Sequence, residues 1–159
     1  SGMLVLPHFA GAATPYMDTG SKGAIVGLTL DSSVAEIYRG CMEGVCYEMY
    51  INYRNVVAAG AKIKRLHATG GGAHSTTWMQ MKADVLGVPI SALSTVDAGT
   101  VGSAMMTGIA LSCFSDIEDA ANHMIKVKQI YEPRKHYHTE YMEVFSRYEN
   151  LYNALRPLV

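Results

Sequence analysis

The stretch RLHATGGGAHSTTWMQMKADVLGVP, residues 65–89, constrains the fold more than any other. A short apolar run stops at Gly70-Gly71-Gly72, a helical pattern runs from about Thr76 to Leu86, and Gly87-Val88-Pro89 ends it. A further short run, PISAL, follows. Strand, helix and strand in that order make a crossover unit, which predicts an α/β domain with parallel pairing in its middle.

The flanking segments extend that pattern. Leu4–Leu6 and Ala24–Leu28 are short apolar runs separated by Gly, Ala, Thr, Pro and Asp, and predict strand, long loop, strand. Ser33-x-x-Glu36 forms a capping box for a long helix, on which Val34, Ile37, Tyr38, Cys41, Val45 and Met49 recur at helical steps until Gly60. Met42, Cys46, Tyr50 and Tyr53 populate a second face, so the helix is expected to be covered on more than one side. Lys62–Thr69 is assigned to a strand. After residue 97, Val101, Met105, Ile109 and Cys113 alternate with Gly102, Ser103, Ala104 and Gly108, a helix whose small residues suit close backbone packing. Ser115-x-x-Glu118 predicts another capped helix, through Met124. Tyr141, Val144, Phe145, Tyr148, Leu151, Tyr152 and Leu155 predict a terminal amphipathic helix. About four strands against four or five helices is a thin sheet, which suggests part of a larger body.

Composition excludes several function classes. The 159 residues are 49% hydrophobic and 17% charged, enough for a buried core in one globular domain. Net charge is −1 and Lys22, Arg39, Arg54, Lys62, Lys64, Arg65 and Lys82 are scattered, which argues against nucleic acid and anionic membrane partners. No apolar run is long enough to span a bilayer and no signal peptide is evident, so the cytoplasm is the expected compartment. Cys41, Cys46 and Cys113 lack metal-ligand spacing and are expected to be reduced, buried thiols. Ser1-Gly2 is taken as a remnant of tag removal, leaving residues 3–159 for the domain.

A strand that ends in three glycines before a helix N-terminus orients backbone N–H groups and lets a ligand lie against the main chain. Ser75 is placed as the N-cap, its hydroxyl available to the helix amides or to a ligand. Triglycine also serves as a tight crossover without any ligand, and both readings stand on this stretch alone. A Walker loop fails, because Ala73-His74 occupy the place of its Lys-Ser or Lys-Thr. A dinucleotide fingerprint matches only as Gly70-x-Gly72-x-x-Ser75, with Asp97 as the ribose acid. His136-x-His138 is expected in a solvent-facing stretch rather than on a metal. His67 and His74 are read as satisfied polar groups, Trp78, Met79 and Met81 as packing, and Glu43 and Glu48 as structural or solvated.

Three separated motifs carry a resemblance. LPHFAGAATPYMD, KGAIVGLTLDSSVAEIYRGCMEGVCYE, and HATGGGAHSTTWMQMKADVLGVPI followed by DAGTVGSAMMTGIA resemble, in order and spacing, the C-terminal region of the FGGY carbohydrate kinases. That group contains xylulose kinase and glycerol kinase, and the resemblance covers about residues 4 to 115. It implies an actin-like, ribonuclease-H-like fold of two domains, of which this chain is the second, in part, with a C-terminal helical extension. It implies transfer of the γ-phosphoryl of MgATP to a sugar or polyol hydroxyl, with xylulose kinase the nearest type. By position the nucleotide roles carry over to Gly70, Gly71 and Gly72, and Ser75 falls near the adenine. The sugar-binding domain, the catalytic aspartate and the main magnesium and phosphate contacts lie upstream in that family, so no residue here inherits the base role. The chain alone is expected to be inactive, and to dimerise or self-associate through its long helix. The alternative is a noncatalytic, kinase-derived binding module; a dinucleotide-binding domain ranks behind it.

Overall fold

The computed structural model describes residues 2–95 and 97–158, which form two compact units. The first is built from residues up to Ile63, from Asp84–Gly87, and from Arg134 onward. Its strands β1 (Leu4–Leu6) and β2 (Ala24–Val26) pair antiparallel, with Leu4 opposite Val26 and Leu6 opposite Ala24. The long helix α1 (Val34–Ala58) opens with the expected box: the Ser33 hydroxyl accepts from the Glu36 N–H at 3.2 Å, and the Glu36 carboxylate accepts from the Ser33 N–H at 2.8 Å.

What α1 buries differs from its apolar periodicity. The inward stripe is Gly40, Glu43, Gly44, Cys46, Tyr47 and Ile51, whereas Val34, Tyr38, Val56 and Val57 are exposed and Met49 borders on it. The helix is covered on more than one side, as expected, by Val5 of β1 against Gly40 and Gly44 and by Phe145 and Tyr148 against Tyr47 and Tyr50, but not along the stripe that the apolar periodicity marks. The reason lies in the contact with β1. A Cβ at Gly44 would collide with the Val5 carbonyl oxygen, so the helix approaches the strand along a glycine seam that hydrophobicity does not mark. Glu43, 2% exposed, accepts from Arg39 Nε at 2.7 Å one turn earlier, which satisfies its charge inside that seam.

The terminal helix is broken in two, α5 (Lys135–Tyr148) and α6 (Leu151–Leu155). Phe145, Tyr148, Leu151 and Tyr152 are buried from the predicted face. The Tyr148 hydroxyl donates to Glu48 at 2.7 Å, and Glu48 also lies 3.5 Å from His8 Nε2, whose Nδ1 is 2.8 Å from Ser21 Oγ.

The second unit holds a three-stranded sheet, β3 (Leu66–Ala68), β4 (Ile90–Leu93) and, further on, β5 (Val127–Tyr131), in the order β3-β4-β5. β3 and β4 run parallel, with Leu66 opposite Ile90 and Ala68 opposite Ala92. β5 closes the other side antiparallel, Tyr131 opposite Ile90. Its sequence VKQIY carries no apolar alternation that would mark a strand, and only Tyr131 of the five is buried. Helix α2 (Thr76–Leu86) contributes Met79 and Ala83 to a core with Ile90, Ala92 and Tyr131, against which Leu66, Ala68 and Ala73 pack.

Helices α3 (Ala98–Ala110) and α4 (Ile117–Met124) complete this unit. The close-packing role expected of the α3 glycines holds only at Gly108, where a Cβ would meet the Phe114 ring; Gly102 faces open space. α4 is capped by Asp116, whose carboxylate accepts from the Asp119 N–H at 2.9 Å, rather than by Ser115 with Glu118. The carboxylate is the stronger acceptor for that amide, and Ser115 instead donates its own N–H to Asp119 at 3.0 Å. Cys113 is exposed, not buried, because α3 ends before it reaches that position.

Candidate functional site

The glycine turn lies wholly within the second unit. β3 ends at Ala68, and the Thr69 hydroxyl donates to the Thr95 carbonyl at 2.8 Å, tying the two parallel strands together at the same end. Gly70 then takes φ +82° and ψ −176°, a conformation open only to glycine at low cost. Gly71–His74 make one turn of 3₁₀ helix, closed by the Ala73 N–H donating to the Gly70 carbonyl at 3.0 Å. Only after this turn does α2 begin. Ser75 is extended, its hydroxyl accepts from the Trp78 N–H at 3.2 Å, and its carbonyl accepts from the Met79 N–H at 2.9 Å. Having accepted once, that hydroxyl still has its proton to give.

The three glycines face different surroundings. Among the described residues a Cβ on Gly70 or Gly71 would meet nothing within 4 Å, whereas one on Gly72 would stand 3.3 Å from both Lys82 Nζ and Trp78 Cζ3. The turn thus has a side backed by protein and a side left open. The backing is itself fixed: Lys82 Nζ lies 4.1 Å from the centre of the Trp78 ring, one helical turn away on α2, and Lys82 is only 9% exposed. A desolvated ammonium over an indole face contributes about 1–2 kcal/mol.

A family model described as the FGGY family of carbohydrate kinases, C-terminal domain, matches residues 1–111. The chain belongs to this FGGY family. The xylulose kinase of Staphylococcus epidermidis is 30% identical over 158 residues, which are 99% of this chain and 32% of that protein. The glycerol kinase of Lactococcus lactis is 31% identical over 160 residues, covering 98% of this chain and 30% of its own. Among solved structures, the ligand-bound xylulose kinase of Lactobacillus acidophilus superposes with a TM-score of 0.88 at 26% identity, covering 97% of this chain and 31% of that one. The fold is accordingly the actin-like one of the FGGY kinases, C-terminal domain, and the chain spans about a third of the length of these relatives.

Within this FGGY domain the remaining candidates sort clearly. Asp97 caps α3, its carboxylate accepting from the Thr100 N–H at 3.0 Å and the Thr100 hydroxyl at 2.8 Å. Those bonds hold the carboxyl below its usual range and account for the residue without a ribose, which weakens the dinucleotide reading. His67 and His74 are exposed. His136 and His138 lie in the first turn of α5 instead of in a loop; His138 Nδ1 is 2.9 Å from the Asp84 carbonyl oxygen, and the His136 and Tyr137 rings lie tilted with centres 4.0 Å apart. No group of three or more His, Cys, Asp or Glu among the described residues could hold a metal, and no helix among them is long and apolar enough to cross a membrane. The pair missed in the sequence is Trp78 with Lys82. Its signal was the i, i+4 spacing of an aromatic and a cation beginning three residues after the N-cap.

Proposed function

We propose that this chain is the nucleotide-side part of an ATP-dependent carbohydrate kinase of the xylulose kinase type, transferring the γ-phosphoryl of MgATP to a sugar or polyol hydroxyl. Gly70, Gly71, Gly72 and Ser75 hold the nucleoside end of ATP. The observation that carries this reading is the open side of the turn: a Cβ at Gly70 or Gly71 would meet no described atom within 4 Å, which leaves room for a flat base or ribose there. The Ser75 hydroxyl has a proton left for such a ligand. Family membership supplies the class of reaction, and the named relatives supply the substrate type.

Phosphoryl transfer depends on placing the nucleotide in line with the acceptor and on neutralising phosphate charge with magnesium. This segment contributes the placement. The resemblance implies that the acceptor site, the catalytic base and most of the magnesium contacts lie in segments that this chain does not span, and the cytoplasm is the compartment proposed for the enzyme.

Titration of the ¹⁵N-labelled chain with ATP, NAD and D-xylulose tests the reading. ATP is expected to shift the amide resonances of residues 70–75 saturably, at concentrations NAD and xylulose cannot match. A second reading, a noncatalytic module working through a partner surface, is favoured by the exposed apolar residues of α1; absence of any ATP response would select it.

A further inference from the structure

The Gly70–Gly72 turn is open on one side and packed on the other, and the packed side is a device of its own. The Trp78 ring edge and Lys82 Nζ converge on Gly72, each 3.3 Å from where its Cβ would be. The Trp78 N–H is bonded to Ser75 Oγ, so the residue that backs the turn is also held by the turn's last residue. Lys82 reaches along α2 to lay its ammonium over the same indole at 4.1 Å, in surroundings that leave it 9% exposed. The ammonium over the ring face favours this rotamer of the half-buried indole, and a rotation of the ring would withdraw the wall behind Gly72.

We propose that Lys82 is a positioning residue for the nucleotide, acting through the Trp78 indole to hold the glycine turn with Gly70 and Gly71 presented to the ligand. The proposal rests on the reading of this turn as a nucleotide site. Lys82 acts from behind the turn rather than on the ligand itself. It selects one conformation of a backbone that would otherwise sample several, and ATP binds more weakly in proportion to the fraction of chains that leave that conformation.

Trp78 is the only tryptophan of the chain, so its indole N–H gives a single resonance that reports the wall directly. The experiment follows that resonance, and the amides of residues 70–75, during ATP titration of the chain and its variants. Lys82→Met, close in volume but uncharged, is expected to shift or broaden the indole signal and to raise the Kd for ATP by about three- to tenfold. Lys82→Arg, which keeps a cation over the ring, should bring the Kd back to within about twofold. In a Trp78→Leu background the loss caused by Lys82→Met should largely vanish, because the ring through which it acts is gone.

A general loss of stability lowers the melting temperature without this pattern of rescue and coupling. An unchanged Kd in Lys82→Met, or an equal loss with and without Trp78, overturns the proposal. Should Lys82→Met not fold, Trp78→Phe carries the same expectation of a raised Kd, and an unchanged Kd there is equally fatal. Failure of the underlying reading is distinct: the unmodified chain would then show no saturable ATP response at residues 70–75.

Discussion

The carboxylate of Asp84, wholly buried on α2, is clamped by Arg134 at the start of α5: Nη2 lies 2.6 Å and Nε 3.1 Å from Oδ2, and the Arg134 backbone N–H donates to Oδ1 at 2.8 Å. Both residues belong to the first unit. Arg134→Met removes the guanidinium and leaves a buried charge with fewer partners, a loss of the kind that costs several kcal/mol. Because half of the Arg134 side chain is exposed, water offsets part of that loss. Urea denaturation of the chain and the variant reads it as a lower midpoint at unchanged slope; equal midpoints would show that the clamp adds nothing.

The three glycines should separate by substitution. Gly70→Ala forces a side chain into a nearly glycine-only conformation and should cost about 1–3 kcal/mol. Gly72→Val overpacks Trp78 and Lys82, at about 1–3 kcal/mol. Gly71→Val meets no described atom and should leave the melting temperature nearly unchanged, yet weaken ATP, since its side chain enters the volume assigned to the ligand. Calorimetric melting together with ATP titration checks all three. A Gly71→Val chain that binds ATP as before removes the nucleotide from this face of the turn.

Alkaline titration should expose a protected set among the ten tyrosines. Burial, and next the Glu48 carboxylate, push the Tyr16 phenol up to about 12, and burial raises Tyr47 and Tyr148 further in the same direction. Their folded values lie above the unfolded value near 10, so the stability they confer is full below about pH 10 and is lost as pH climbs toward 12 and beyond. Phenolate absorbance should therefore rise in two stages, the second coinciding with loss of far-ultraviolet circular dichroism. A single stage near pH 10 with the fold intact would contradict the assignment.

Self-association is expected through the apolar residues Leu30, Val34 and Tyr38, exposed at and before the start of α1. Light scattering should show dimers or larger species at high concentration, and Val34→Lys with Tyr38→Lys should reduce them. A clean monomer that binds no hydrophobic dye would count against this face as an interface.

The chain by itself should not turn over. With ATP, magnesium and a panel of ketoses and polyols, coupled ADP release should stay at background, because positioning of the nucleoside alone supplies neither base nor acceptor site. Sustained turnover would place the missing groups within these 159 residues.

Local signals survive into the structure wherever the physics is local. The Ser33–Glu36 box, the Ser75 cap, the span of α2 from Thr76 to Leu86 and the parallel β3–β4 pair were all legible, since capping and short crossovers depend on residues a few positions apart. So was the family, through three motifs in order. Tertiary structure decided what faces inward. On α1 it chose Gly44 and an Arg39-paired Glu43 over Val34 and Tyr38, because close approach to β1 requires the absence of a side chain, which hydrophobic periodicity cannot express. It paired VKQIY as β5, whose residues are mostly exposed and so show no buried alternation. At the site, sequence determined that three glycines precede a helix; the fold alone decided that Gly72 lies close against Trp78 and Lys82, while a Cβ at Gly70 or Gly71 would meet no described atom. That division follows from side chains one helical turn away on α2 folding back over the turn, a proximity set by the 3₁₀ step between β3 and α2.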